Sequence, residues 1–158
     1  MASSTGMYFA YRTPHGPITI RTSDRGVTHV AFGDVALPGV RHPSQLATRT
    51  ANELLEYFAG KRTFFDIPID AEGSAFQRAV WSELARIPYG ASRTTAEVAA
   101  LMGKPGSYRS VGTAVKKNPL AILVPDHRVV GSDGRPVGAD ASARLKRALL
   151  DMERKRLT

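Results

Sequence analysis

The sequence predicts an α/β protein with a small N-terminal α/β subdomain, an antiparallel sheet plus a helix, followed by a helical C-terminal domain. Within residues 7–33, three short apolar runs alternate with turn residues, a pattern typical of antiparallel strands. Within residues 74–117, segments that combine a capping residue with an apolar face indicate helices. The two patterns meet at residues 71–73, so we place the subdomain at residues 7–70 and the helical domain at residues 71–158.

The composition of the 158-residue chain excludes several classes of protein. Hydrophobic residues make up 42%, which is enough for a packed core. No apolar run approaches the roughly 18 residues that span a bilayer, and residues 1–6 resemble a disordered tail or expression remnant more than a signal peptide. We therefore expect a cytoplasmic protein with no membrane partner. The absence of cysteine excludes disulfides and thiol catalysis, and no histidine has metal-ligand spacing, so we expect no metal or other cofactor.

Positive charge is concentrated in the C-terminal part of the chain. The formal net charge is +8, and residues 71–158 carry 15 Lys and Arg against 8 Asp and Glu, whereas residues 1–70 carry 7 against 6. A cationic surface attracts polyanions because binding releases counterions. This segregation favours a nucleic-acid partner for the C-terminal domain.

Local patterns assign the remaining elements of the subdomain. Residues 33–43 contain two prolines and predict a loop. Ser44 can cap a helix that continues to Ala59, because apolar residues recur at helical spacing between them. Residues 64–70 predict an edge strand, since Pro68 lacks the N–H that an interior strand requires.

Two adjacent helices of the C-terminal domain form a helix-turn-helix pattern. Thr94 and Glu97 have the spacing of a capping box at the start of the first helix. A Gly-Lys-Pro-Gly turn at residues 103–106 separates it from a second helix over residues 107–117. The alternative is a helical hairpin with a solvated basic face.

The two flanking helices of this domain have simple patterns. Ser74 can cap a helix on whose apolar face Trp81 lies, and we expect Trp81 to be in the core. Residues 142–156 predict a closing amphipathic helix that is strongly basic. Its inward residues are expected to be Leu145, Leu149 and Met152.

The most informative stretch is residues 118–131, Asn-Pro-Leu-Ala-Ile-Leu-Val-Pro-Asp-His-Arg-Val-Val-Gly. Pro125 favours an extended Val124, so the apolar run predicts a short buried strand or extended turn that ends before Asp126 and His127. A carboxylate beside an imidazole at such a point indicates a reactive site. The alternative is a turn whose histidine makes a structural hydrogen bond.

This stretch resembles the active-site segment of the O6-alkylguanine-DNA alkyltransferases, in which Pro-Cys-His-Arg-Val carries the alkyl-accepting cysteine. The pattern Phe76-Gln77 to Ile87-Pro88-Tyr89-Gly90 is similar as well. The resemblance implies that Arg109 enters the duplex in place of a flipped base, that Asn118 belongs to a hydrogen-bonded network, and that His127 is a general base oriented by Glu153. We also expect a wider set of duplex contacts, namely Arg109, Thr95, Lys104, Ser107, Tyr108, Lys116 and Arg128.

The sequence departs from that family at three positions. Asp126 stands where the family has cysteine, Thr95 where it has a tyrosine that helps rotate the target nucleotide, and Ala139 where a tyrosine walls the base pocket. The remaining expected pocket residues are Asp126, Val137 and Gly138. A single departure could be an engineered knockout, whereas three together indicate a repurposed protein.

The chemistry of a carboxylate agrees with repurposing. A thiolate is a strong nucleophile that forms a stable thioether, whereas a carboxylate is much weaker and its ester hydrolyses. We therefore expect a non-catalytic alkyltransferase-like protein that binds double-stranded DNA, flips a nucleotide and senses damaged bases, with nucleotide excision repair proteins as partners. The alternatives are a DNA glycosylase or base hydrolase that uses Asp126, and a helix-turn-helix regulatory protein that is indifferent to Asp126.

Overall fold

The computed structural model describes residues 6–137 and 142–157. By its internal contacts the chain divides into two units. Unit 1 contains the described residues up to 72 together with residues 119–121, and unit 2 contains residues 73–118 and those from 122 onward. This agrees with an N-terminal α/β part followed by a helical part. The sequence-based boundary had placed residues 119–121 in the C-terminal domain.

Unit 1 contains a four-stranded sheet in the order β3-β2-β1-β4. The strands are β1 (Met7–Tyr11), β2 (Ile18–Thr22), β3 (Val27–Phe32) and β4 (Val40–Arg41). The first three are antiparallel, as predicted, whereas β4 is parallel to β1 and lies within the predicted loop. Gly6 was assigned to a disordered tail, but it is buried and its carbonyl accepts a hydrogen bond of 2.9 Å from the Val40 N–H.

Helix α1 (Gln45–Phe58) packs on this sheet and begins where the sequence predicts. The Ser44 hydroxyl accepts a hydrogen bond from the Ala47 N–H, which satisfies one of the free donors at the helix start. The prediction of an edge strand over residues 64–70 is wrong. Only a single parallel bridge joins Ile69 to Val27, because Pro68 contributes a carbonyl but no N–H.

All five residues of β2 are buried, although apolar and polar residues alternate along it. Ile18 and Ile20 lie in the core of unit 1. On the opposite face the guanidinium of Arg21 is covered, since its Nε donates to the Pro38 carbonyl at 2.7 Å and its Nη1 to the Thr28 hydroxyl at 2.8 Å. The segment that follows β3 therefore encloses this face.

Unit 2 begins with three helices, α2 (Ala75–Leu84), α3 (Thr95–Leu101) and α4 (Tyr108–Lys116). Both α2 and α3 start with complete capping boxes, formed by Ser74 with Gln77 and by Thr94 with Glu97, as the residue types require. Trp81 is buried and its indole N–H donates to the Ala114 carbonyl at 2.9 Å, so it is a core residue as predicted. Helices α3 and α4 are joined by a short 3-10 turn at Pro105–Ser107.

The rest of unit 2 positions the Pro-Asp-His-Arg segment. Strands β5 (Arg93–Thr94) and β6 (Val129–Val130) form a two-residue parallel pair that the sequence analysis missed. Helix α5 (Ala143–Leu157) closes the unit. Its buried face consists of Lys146, Leu149, Leu150 and Glu153, whereas Leu145 and Met152, predicted to point inward, are only half-buried.

The apolar run before Pro125 is not a continuous strand. Leu120 makes one parallel bridge to Val30 of unit 1, and the chain then turns at Ile122, whose φ is 71°. A left-handed backbone is unusual for a β-branched residue and indicates strain. Among the described residues no helix is both long enough and apolar enough to cross a membrane.

Candidate functional site

The site lies at a 3-10 turn formed by Asp126–Arg128, directly after Pro125. The fixed φ of proline favours the bend, and the Arg128 N–H closes it with a 3.1 Å hydrogen bond to the Pro125 carbonyl. All three side chains of the turn are buried. Their polar groups must therefore find partners inside unit 2.

The carboxylate of Asp126 faces an ammonium group. Lys146 Nζ lies 3.4 Å from Asp126 Oδ2, and both side chains are less than a tenth exposed, at 7% and 6%. Burial raises the pKa of the Asp126 carboxyl, while Lys146, His127 and a hydrogen bond from the Asn118 side chain oppose that rise. The Asn118 amide also donates to the Val124 carbonyl at 3.0 Å, which fixes its orientation.

The imidazole of His127 faces a different carboxylate. His127 Nε2 lies 2.6 Å from Glu153 Oε2, and because an ionised carboxylate has only acceptors, the imidazole N–H is the donor. Glu153 is fully buried, and its Oε1 also accepts a hydrogen bond of 2.9 Å from the Gly90 N–H. The structure thus brings His127 and Glu153 together, as the resemblance implied.

Arg128 requires a correction, because we expected it to contact DNA. Its side chain is buried and its Nε and Nη2 bind both oxygens of Glu153 at 2.8 and 3.0 Å. Its Nη1 donates to the Ile87 carbonyl at 2.7 Å. With the fork of donors occupied in this way, the guanidinium is a structural clamp in unit 2 rather than a phosphate contact.

The other residues expected to contact a duplex lie on or beside α4. Lys104, Arg109 and Lys116 are exposed, and the Tyr108 side chain is 45% exposed, with the Arg109 guanidinium carbon 5.9 Å from its ring centre. Ser107 and Thr95 are half-buried. On its opposite side α4 buries Val111, Ala114 and Val115 against the core of unit 2, which leaves the cationic side free.

The predicted base pocket is described only in part. Val137 is half-buried, and its N–H donates to the Val129 carbonyl at 2.9 Å, so it lies close to the turn that carries Asp126. Gly138 and Ala139 lie outside the described residues.

Lys146 is the residue that the sequence analysis missed. It was counted only among the residues that make the closing helix basic, yet it lies seven residues before Glu153, and two helical turns place the two side chains on one face. That face also carries Leu149 and Leu150. A lysine within an apolar stripe, in register with a glutamate, was the signal that could have identified it.

Without a thiol, this arrangement offers a carboxylate, an amine and an imidazole as its chemical groups. Among the described residues no cluster of His, Asp and Glu could hold a metal ion. The carboxylate of Asp126 can accept a proton or a hydrogen bond, and the amine of Lys146 can donate one. The Asp126 carboxylate is held by Lys146 and Asn118, and the Lys146 amine is held by Asp126.

Comparisons with known proteins agree with this geometry. Residues 75–155 match the family model described as "6-O-methylguanine DNA methyltransferase, DNA binding domain", and residues 7–71 match its "ribonuclease-like domain". The methylated-DNA–protein-cysteine methyltransferase of Methanosarcina barkeri is 39% identical over 95% of this chain and 98% of its own length. That of Mycobacterium tuberculosis H37Rv is 40% identical over 92% of this chain and 93% of its own.

Solved structures give the same result. The O6-methylguanine methyltransferase of M. tuberculosis superposes with a TM-score of 0.82 at 34% identity, covering 96% of this chain and 94% of that one. The M. tuberculosis protein in complex with DNA superposes with a TM-score of 0.80 at 36% identity, over 95% and 94% of the two chains. With both family models matched in order along the chain, and with the His127–Glu153 pair in place, this protein belongs to the 6-O-methylguanine DNA methyltransferase family.

Proposed function

We propose that this chain is a non-catalytic member of its family that binds duplex DNA, turns a nucleotide out of the base stack and senses damaged bases for repair. The observation that carries the proposal is the group at position 126. Where the family has a nucleophilic cysteine, this chain has a carboxylate held beside Lys146 at 3.4 Å. A carboxylate attacks an alkyl ether carbon poorly, and the ester it forms is hydrolysable.

The proposed DNA interface is the helix pair α3–α4, acting as a helix-turn-helix. The exposed cations Lys104, Arg109 and Lys116 on this pair support it, because they can neutralise phosphates. Arg109 is exposed in the first turn of α4, where it can enter the duplex and fill the space of a flipped base. A relative that was solved in complex with DNA supports the same partner. A protein that marks lesions without repairing them needs a downstream partner, and we propose excision repair proteins for this role.

Mass spectrometry tests the absence of alkyl transfer. After incubation with a duplex containing O6-methylguanine, we expect the protein mass to be unchanged and the lesion to remain. The matched control is Asp126→Cys, which places a thiol beside Lys146 and the His127–Glu153 pair and is expected to gain one methyl group. A stoichiometric gain on the unsubstituted protein contradicts the proposal.

Salt dependence and fluorescence test the mode of DNA binding. If about four to six phosphates are contacted, the log–log slope of affinity against salt is expected to be roughly −3.5 to −5.5. Arg109→Ala is expected to reduce the fluorescence of a flipped 2-aminopurine more than it reduces affinity. Lys116→Ala is the matched control and is expected to do the opposite, because we assign its exposed side chain to a phosphate contact alone. Equal fluorescence from wild type and Arg109→Ala would show that Arg109 is merely a phosphate contact.

A further inference from the structure

Lys146 is a buried amine that the proposed function does not use. Its side chain is 7% exposed, and it shares the buried face of α5 with Leu149 and Leu150. Burying an ammonium and a carboxylate together gains little stability over an apolar pair, because desolvation offsets their attraction. Stability alone therefore gives no reason for this position to hold a Lys146–Asp126 pair in place of two apolar residues.

The neighbours of Lys146 have the arrangement of a nucleophile, a base and a residue that orients the base. Asp126 Oδ2 lies 3.4 Å from the amine, and Asn118 hydrogen-bonds the same carboxylate. Lysine attacks carbonyl carbon as the unprotonated amine, and Asp126 Oδ2, at 3.4 Å, is the group positioned to take the ammonium proton as the nitrogen approaches that carbon. Burial raises the pKa of the Asp126 carboxyl, which makes it a better acceptor for that proton.

An abasic deoxyribose in DNA offers a C1′ aldehyde, which forms an imine with an amine, unlike the amide-like carbonyl groups of the bases. An extrahelical nucleotide that approaches residue 126 also approaches the Lys146 amine, since the two groups are adjacent. We propose, on the basis of the DNA binding and nucleotide flipping inferred above, that Lys146 forms a Schiff base with abasic sites in duplex DNA. The chemical class of the substrate is thus an aldehyde sugar rather than an alkylated base.

The step balances with the groups present. The Lys146 nitrogen bonds to C1′, one of its own N–H protons passes to the aldehyde oxygen to make a hydroxyl, and Asp126 holds the proton that the ammonium released. That proton leaves with the hydroxyl as water when the C=N bond forms. Asp126 is then ionised again and can take a proton from C2′, after which the C3′–O bond breaks and the 3′ phosphate leaves. Hydrolysis of the imine returns the amine.

Borohydride trapping tests this proposal directly. Sodium borohydride reduces the imine, so wild type and a duplex with one abasic site are expected to give a covalent protein–DNA adduct whose modified peptide contains Lys146. Lys146→Arg keeps a cation beside Asp126 but cannot form this imine, and its adduct yield is expected to fall by at least about tenfold. Lys116→Arg, a change at an exposed lysine of the proposed DNA interface, is the matched control and is expected to retain the yield.

A second variant and a second duplex separate the possible failures. If Lys146→Arg does not fold, Asp126→Asn serves instead, since loss of the proton acceptor is expected to slow trapping. A duplex with a tetrahydrofuran abasic analogue has no aldehyde and reports binding alone. Binding without trapping, or an adduct that maps to other lysines and survives Lys146→Arg, overturns the Schiff base. Failure to bind either duplex overturns the proposed function and this inference together.

Discussion

Asp126 and His127 are consecutive residues whose side chains enter two different buried charge clusters, and α5 completes both. The Glu153 cluster consists of Glu153, His127, Arg128 and the Gly90 N–H, with distances of 2.6 to 3.0 Å. The Asp126 cluster consists of Asp126, Lys146 and Asn118, with a separation of 3.4 Å between the charged groups. Two helical turns separate the α5 members of the two clusters.

The two clusters differ in how completely the hydrogen-bonding capacity and charge of the carboxylate are satisfied. Each of the two oxygens of Glu153 accepts two hydrogen bonds, so this carboxylate has little capacity for a ligand. The Asp126 carboxyl has a raised pKa because burial outweighs its neighbours' attraction, so its charge is poorly compensated. We infer that the Glu153 cluster holds the turn in place and that the Asp126 cluster keeps capacity for a ligand.

The largest effect is expected from Glu153→Gln. This change removes the negative charge that both Arg128 and His127 face and leaves a buried guanidinium without its carboxylate. We expect the free energy of unfolding to fall by about 3–5 kcal/mol. Urea unfolding followed by circular dichroism measures it. Asp151→Asn, at an exposed position on the same helix, is the control and is expected to change stability by less than about 0.5 kcal/mol.

A loss below about 1 kcal/mol for Glu153→Gln would contradict the structural role of this cluster, since exposed ion pairs lose no more than that. In that case the two clusters would differ in geometry but not in function.

Features that depend on residues close together in the sequence, such as helix starts, were predicted correctly. Ser44, Ser74 and Thr94 start their helices because a hydroxyl in the cap position satisfies N–H groups only a few residues away. The short parallel pairs β1–β4 and β5–β6 were missed, since each joins segments far apart in sequence and only two residues long. Residues 64–70 failed as a strand for a related reason, because pairing depends on which neighbour is available.

The residues of the candidate site that belong to recognisable motifs were predicted from the sequence. Asp126 and His127 were indicated by their own residue types after Pro125, Asn118 and Glu153 came from the resemblance, and the structure brings all four into the two clusters. Arg128 and Lys146 were both misassigned because cations in a basic domain were read as surface residues. Whether a cation lies on the surface or opposite a buried carboxylate depends on tertiary packing, which periodicity alone does not specify.

The second prediction concerns Lys146→Met, which removes the cation of the Asp126 cluster. We expect a smaller loss than for Glu153→Gln, about 1–3 kcal/mol near neutral pH, because Asp126 can take up a proton and become neutral. Lys146 lowers the pKa of Asp126 in the wild type, so its removal raises that pKa further. A carboxyl whose pKa is raised by folding stabilises the fold in acid and loses that contribution as the pH rises through the raised value.

The deficit of Lys146→Met is therefore expected to be larger at about pH 8 than at about pH 4. Urea unfolding of both proteins at the two pH values measures the difference. Lys155→Met, at an exposed position on α5, is the control and is expected to show no such pH dependence. A deficit that is constant with pH would show that Lys146 stabilises the fold by packing alone, and that Asp126 does not respond to it.

The last prediction concerns ligand preference, not stability, and is tested with Asp126→Asn. An ionised carboxylate has only acceptors, so it favours a base edge that presents donors, such as guanine N1–H with its amino group. O6-methylguanine has lost that N1–H and presents an acceptor there. Facing Asp126, it sets lone pair against lone pair at a cost of roughly 1–3 kcal/mol.

We therefore expect wild type to show little preference for O6-methylguanine over guanine near neutral pH, and Asp126→Asn to raise that preference. Competitive binding of matched duplexes to both proteins measures it. Lys146 is present in both proteins, so a change in preference is assigned to the loss of the carboxylate. Asp151→Asn removes an equal charge from the surface of α5 and is expected to leave the preference unchanged. A strong wild-type preference for the alkylated base that Asp126→Asn abolishes would contradict this account. It would mean that the carboxylate of Asp126 favours O6-methylguanine over guanine and itself recognises the lesion.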